Sequence, residues 1–221
     1  MFNTIEVGSQ WEVLQNIIPS GIAELILCDI SSDKILRLEA DFSHQIERIL
    51  SSKGICAMMC PSRRLNILFS TMEFGKLRYI TTMSIIEGDV AEIEWHNRLE
   101  VYCGFVVIYG KRTRKGDWTS NLLRITNIEP GLQTASSLIQ GLTKQGDLVF
   151  DPFLTDGTTL IAAKTLSRQY YGIAINEAQK NSIEDRLAKI IPISLLNLDQ
   201  NPITDFYQPS LFDVTRIGKE S

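Results

Sequence analysis

The stretch GDLVFDPFLTDGTTLIAAKTL, Gly146 to Leu166, decides the fold. LVFDPF is a short apolar run, the texture of a strand covered on both faces. A turn around Thr155–Gly157 follows, and GTTLIAAKTL has helical composition. Strand, tight turn and helix in that order form the ligand end of a parallel α/β sheet, where backbone N–H groups at the helix start attract anions. Asp156 stands inside that turn, where an anionic ligand would meet like charge. Its plainest role is to cap its own helix by accepting the N–H of Thr158 or Thr159.

Working outward, QYYGIAIN (169–176) reads as the next strand and AQKNSIEDRLAKII (178–191) as the last helix. Upstream, Ser9 offers an N-cap for a helix with Trp11, Leu14 and Ile18 on one face. AELILCDI (23–30) is a nearly continuous apolar strand. DFSHQIERIL (41–50) puts Phe42, Ile46, Ile49 and Leu50 on one stripe, Gly54 is read as closing that helix, and ICAMMC (55–60) is a buried strand. Ser62 is a candidate cap for a helix whose Leu65, Leu68, Phe69 and Met72 face inward, stopped at Gly75. YITTMSII, AEIEW and EVYCGFVVIYG are rich in β-branched and aromatic residues and read as strands, and TASSLIQGLT as a helix. Alternating strands and helices with short links predict an α/β fold with a mostly parallel sheet flanked by helices. We expect a single domain over residues 1–200, a β-rich segment at 77–120 within it, and a turn-rich tail at 201–221.

The 221 residues are enough to bury a full core. No apolar run approaches the roughly 20 residues that span a bilayer. The N-terminus lacks the basic-then-apolar order of a signal peptide, so a cytoplasmic setting and no membrane are expected. The formal charge of −4 is no overall nucleic-acid footprint. The densest basic run, KRTRK at Lys111–Lys115, reads as a solvated loop. Cys28, Cys56, Cys60 and Cys103 lie in apolar runs, with only His44 and His96 as extra ligands, so reduced thiols and no metal are expected.

Residues 146–187 resemble the cofactor region of the DNA amino-methyltransferases, which move a methyl group from S-adenosylmethionine to the exocyclic amine of cytosine or adenine. The shared residues are Gly146, Asp147, Asp151, Pro152, Phe153, Gly157, Thr158, Thr159, Ala162, Ala163, Arg168, Gly172 and Ile173. More faintly, residues 9–33 resemble the helix and strand leading into that family's Asp-Pro-Pro-Tyr. Residues 46–59 and 100–111 resemble later segments. The order, catalytic strand first and cofactor strand last, matches the permuted branch. The resemblance implies a Rossmann-like methyltransferase fold, S-adenosylmethionine as cofactor and DNA as partner. It also implies a cofactor site at Asp151, Pro152, Phe153, Thr155, Asp156, Gly157, Thr158, Thr159 and Ala174, with Asp29 as the catalytic acceptor.

Four positions depart from the pattern. Thr155 replaces a turn glycine, which penalises the turn if it needs a positive φ there. Asp156 replaces a small neutral residue where the cofactor carboxylate approaches. Ala174 replaces the carboxylate that accepts the ribose hydroxyls, and Glu177, three residues on, falls in the next helix. Asp29, Ile30, Ser31 and Ser32 replace Asp-Pro-Pro-Tyr, keeping an acceptor but losing the rigid prolines and the ring that stacks on a flipped base. A lost charged hydrogen bond to ribose costs roughly 2–3 kcal/mol and a lost base platform about 1–3 kcal/mol. The expected function is therefore a methyltransferase-family protein with impaired catalysis, acting as a partner or DNA-associated subunit, with a protein partner or homodimer. The alternatives are an active divergent DNA amino-methyltransferase and a crevice selecting a cationic ligand through Asp151 and Asp156.

Overall fold

The computed structural model describes residues 2–30, 41–73, 75–87, 92–94, 99–101, 103–111, 122–125 and 130–192. Ten strands and six α-helices are defined among them: β1 (Thr4–Val7), α1 (Gln10–Asn16), β2 (Ala23–Asp29), α2 (Phe42–Ile49), β3 (Leu50–Cys60), α3 (Leu65–Met72), β4 (Arg78–Glu87), β5 (Glu92–Glu94), β6 (Leu99–Val101), β7 (Cys103–Gly110), β8 (Leu122–Ile125), α4 (Pro130–Leu142), β9 (Leu148–Asp151), α5 (Thr158–Thr165), β10 (Gln169–Ala174) and α6 (Glu177–Ala188). Eight strands form one sheet in the order β1-β10-β9-β2-β3-β7-β4-β8, and β5 pairs with β6 apart from it. Within the large sheet only β7 runs against its neighbours. The expected α/β fold with a mostly parallel sheet is the fold observed.

Successive side chains of a strand point to opposite faces, and β2 shows why a continuous apolar run was needed. Ile26 and Cys28 join a core with α1, α2 and α3. Leu25 and Leu27 join a second core with α4 and α5 on the other face. A third cluster, including Ile5, Leu160, Ile183 and Leu187, seats α6 against α5 and the β1–β10 edge.

The connections place the crevice. From β9 the chain crosses through α5 to β10 on one side; from β2 it crosses through α2 to β3 on the other. Because β2 and β9 are parallel neighbours, with Leu25 opposite Val149 and Ile26 opposite Phe150, the two crossovers diverge from the gap between them. Such a switch point, beyond the C-terminal strand ends, is where open α/β sheets bind ligands.

Some expectations require correction. Gly54 does not close α2, which ends at Ile49; it lies inside β3. A Cβ on Gly54 would stand 2.7 Å from the Ala23 carbonyl oxygen, so glycine is needed where the β2–β3 register shifts. Phe69 is exposed, because α3 buries Leu68, Thr71 and Met72 instead. Ser62 begins a 3-10 turn, Ser62–Arg64, whose N-cap is Pro61, and Arg64 takes the N-cap position of α3. Ser9 takes the N-cap position of α1 but also makes no side-chain cap bond. The edge strands β1 and β8 were not foreseen. Residues 112–115 of the basic run, His96, Arg98 and residues 193–221 lie outside the described residues.

Candidate functional site

The crevice is built from two strand ends and two helix starts. Asp29 closes β2 and is half-buried; Asp151 closes β9 and is buried. The Asp151 carboxylate accepts the Phe153 N–H at 2.9 Å, which folds Pro152–Phe153 back over the strand end. Burial pushes the Asp151 carboxyl up to about 7 against hydrogen bonds from Thr159 and Phe153, and the Asp29 and Asp156 charges add to the rise. Phe153 stacks on Phe42 at the start of α2, with ring centroids 5.6 Å apart.

Gly157 is the N-cap of α5 with φ +80°. A Cβ there would lie 2.5 Å from Ile183 of α6, so both conformation and packing require glycine. Thr155 does not have a positive φ, so the feared strain at that replacement is absent.

Asp156 caps α5 as expected. Its carboxylate accepts the Thr158 N–H at 3.1 Å and the Thr158 hydroxyl at 2.7 Å. Arg186 of α6 lies 3.3 Å from that carboxylate and also donates to the Asp156 carbonyl. Burial pushes the Asp156 carboxyl up, but the Thr158 hydrogen bonds and the Arg186 guanidinium outweigh it and hold it below the ordinary value. A carboxylate supplied by the chain itself therefore holds the start of α5.

Gln179 ties the two turns together. It accepts the Ile175 N–H at 2.8 Å and donates to the Leu154 and Thr155 carbonyls at 2.8 and 2.7 Å. Its own N–H goes to Asn176, the N-cap of α6. Asn-x-x-Gln before a helix is a capping signature, so half of this arrangement was readable beforehand. Nothing in the sequence marks Arg186, which arrives from 30 residues away.

On the β2 side, Arg64 is buried and donates to the Ile30 carbonyl at 2.9 Å. Ile30 follows Asp29 directly, so Arg64 holds the backbone just beyond the end of β2. Ser31 and Ser32 lie outside the described residues. Ala174 is buried at the end of β10, paired with Val7 of β1, and its methyl group accepts no hydrogen bond. Glu177 is exposed in the first turn of α6. The structure thus gathers Asp29, Asp151, Thr158 and Thr159 at one crevice and leaves Glu177 in the next helix.

These residues do not fit S-adenosylmethionine at two of its ends. The resemblance places the cofactor carboxylate at Asp156, itself a carboxylate, and the ribose at Ala174, whose methyl group accepts no hydrogen bond. Among the described residues no group of three or more His, Cys, Asp or Glu is clustered to hold a metal. Cys28 and Cys56 are buried, and burial pushes the Cys28 thiol well up. No helix of the described residues is long and apolar enough to cross a membrane.

Residues 110–185 match the DNA methylase family. The type II methyltransferase M.HindIII of Haemophilus influenzae is 39% identical over 77 residues, which is 31% of this chain and 25% of that protein, so the match spans about a quarter of its length. Among solved structures, M1.HpyAVI superposes with a TM-score of 0.67 at 17% identity, covering 83% of this chain and 98% of that one. Its complex with SAM gives 0.65 at 17% identity, with coverage of 83% and 98%. The cytosine-N4-specific PvuII DNA methyltransferase gives 0.65 at 16% identity, covering 84% and 86%. At such identities the superpositions speak for the fold, and the matched segment speaks for descent. Residues 110–185 are thus similar to the DNA methylase family, and the sheet that carries them has the fold of these solved methyltransferases.

Proposed function

We propose that this chain is a methyltransferase-fold protein with impaired catalysis, one domain over residues 1–200 with a tail at 201–221, acting as a partner or DNA-associated subunit. The observation that carries this reading is Asp156. Its carboxylate takes the Thr158 N–H and hydroxyl and is neutralised by Arg186. An incoming carboxylate would lose that ground to a tethered competitor and meet a second negative charge. One further feature supports the same direction: Ala174 at the ribose position.

A second reading, an active divergent DNA amino-methyltransferase, is favoured by one observation. Asp29 and Asp151 close adjacent parallel strands beside the left-handed Gly157. Calorimetric titration of the wild type with S-adenosylmethionine, beside a Thr155→Gly, Asp156→Ser, Ala174→Glu variant, separates the two. Binding only in the variant is expected. The ribose carboxylate alone accounts for roughly 2–3 kcal/mol, on the order of a hundredfold in affinity. Micromolar binding by the wild type would overturn the impaired reading, and methyl transfer to DNA would establish the second.

A further inference from the structure

Three successive peptide units of the turn after β9 face the same way. Gln179 donates its side-chain amide to the Leu154 and Thr155 carbonyls at 2.8 and 2.7 Å, and Arg186 donates to the Asp156 carbonyl. The carbonyls of Leu154, Thr155 and Asp156 are therefore all turned toward α6. A trans peptide is planar, with its N–H opposite its carbonyl, and the described residues contain no cis bond. The N–H groups of Thr155, Asp156 and Gly157 consequently point away from α6. That helix packs with α5 and the β1–β10 edge, whereas β2 lies on the other side of β9. Away from α6 is thus toward the gap between β2 and β9, where the crevice lies. No hydrogen bond among the described residues takes these three N–H groups.

The same side chain reaches the other wall. Gln179 accepts the Ile175 N–H at 2.8 Å, and Ile175 follows Ala174, the last residue of β10. One amide thus spends its oxygen on the exit of β10 and its nitrogen on the turn after β9. Its own backbone is fixed by the Asn176 cap of α6. Arg186 bonds the side chain at 156 as well as the carbonyl, so its hold depends on which residue stands there. Every partner of the Gln179 amide is backbone. Its hold is therefore indifferent to the side chains at 155, 156 and 174.

We propose that Gln179 is the positioning residue of the crevice. Its amide fixes the turn after β9 against the exit of β10 and aims the Thr155, Asp156 and Gly157 N–H groups into the gap. The turn keeps its shape because α6 holds it from behind, with no ligand needed and with its contact side chains replaced. The plain competitor is a helix cap, in which Gln179 serves only α6. The two roles make different demands: a cap needs only the oxygen that accepts the Ile175 N–H, whereas positioning needs the two donors as well.

The test compares the full chain with Gln179→Glu and Gln179→Met by residue-resolved amide resonances and hydrogen exchange. Glutamate keeps the acceptor, is at home in a helix cap, and has no donor for the two carbonyls. Methionine keeps the length and has neither. Gln179→Met should speed exchange of the Ile175 N–H about tenfold, and Gln179→Glu should leave it unchanged. Both should shift the amide resonances of Thr155, Asp156 and Gly157. Thermal unfolding checks that each variant folds; Gln179→Glu, which still satisfies α6, keeps the test decisive if Gln179→Met does not. Turn resonances unmoved in Gln179→Glu would reduce Gln179 to a cap and overturn the proposal. A second arm rests on the proposed function. In the Thr155→Gly, Asp156→Ser, Ala174→Glu background, both substitutions should weaken S-adenosylmethionine about tenfold by calorimetry. Gln179→Met adds no charge, so its loss is not repulsion. Gln179→Glu should leave 5′-methylthioadenosine, which lacks the carboxylate end, bound as before; an equal loss of both ligands would overturn the aiming of the turn. If that background binds no cofactor, the reading of the replaced residues fails, and the amide resonances alone decide the role of Gln179.

Discussion

Asp151 shows how one residue can keep a family's identity while its chemistry is set by surroundings. It ends β9, is buried, and spends its carboxylate on Phe153 and Thr159, with its carboxyl raised from 3.8 to about 7. The folded chain thus holds this proton more tightly than the unfolded chain. The stability it contributes is fully present below pH 3.8 and is lost as pH rises through about 7. An Asp151→Asn variant carries no such titration. The thermal midpoint of the variant relative to wild type should therefore climb between pH 4 and pH 8. A difference that stays flat across this range would show that Asp151 is not the group held neutral. The identity of Asp151 was legible in the sequence, but its protonation was not, because the desolvation comes from strands and helices brought over it by the fold.

At the scale of elements, β3 carries the clearest test. Its register against β2 jumps from Ala23–Leu50 to Leu25–Ile55, and Gly54 sits in the extra loop of chain with its α-carbon against the Ala23 carbonyl. A methyl group there meets backbone on two sides and cannot be relieved by a side-chain turn. Gly54→Ala should cost about 1–3 kcal/mol in urea denaturation. Gly104→Ala, where an added Cβ meets nothing within 4 Å, should be neutral or stabilising by up to about 1 kcal/mol. Equal effects at both positions would remove the close approach as the reason for glycine in β3. The same element explains a misreading. A glycine shortly after a helical stripe looks like a helix stop, and only the neighbouring strand reveals the other reason for it. The long elements were legible because their periodicity is strong: β2, β9, β10, α2 and α6 stand where their patterns put them. α3 was legible as a helix with Leu65, Leu68 and Met72 toward the core; only at its margin does Thr71 rather than Phe69 face inward, and a polar residue in an apolar helix gives no sign of that choice. β1 was illegible because four residues with one buried side chain, Ile5, carry too little pattern to stand out.

For the whole molecule, the sheet order predicts where stability is concentrated. β2 has β9 on one side and β3 on the other, with helices packed over both faces, and Leu25 to Cys28 are wholly buried. No opening smaller than global unfolding frees those amides. β1 has a single neighbour, β10, through four residues, and its core contribution is Ile5 against α5 and α6. It can detach by giving up one ladder, the packing of Ile5 and Val7, and the hydrogen bond from the Tyr171 hydroxyl to Glu6. Native-state hydrogen exchange in rising denaturant should therefore divide the sheet. Amides of Leu25–Cys28 should exchange with the free energy and denaturant slope of global unfolding. Those of Thr4–Val7 should exchange several kcal/mol lower and with little slope, as local openings do. The crevice follows from this division: Asp29 and Asp151 end the cooperative centre, whereas Ala174 ends a strand whose outer partner opens more easily. If β1 exchanged as slowly as β2, the edge would be part of the same cooperative unit. The ribose side of the crevice would then be as rigid as its floor, and the missing acceptor at Ala174 could not be offset by local movement of that edge.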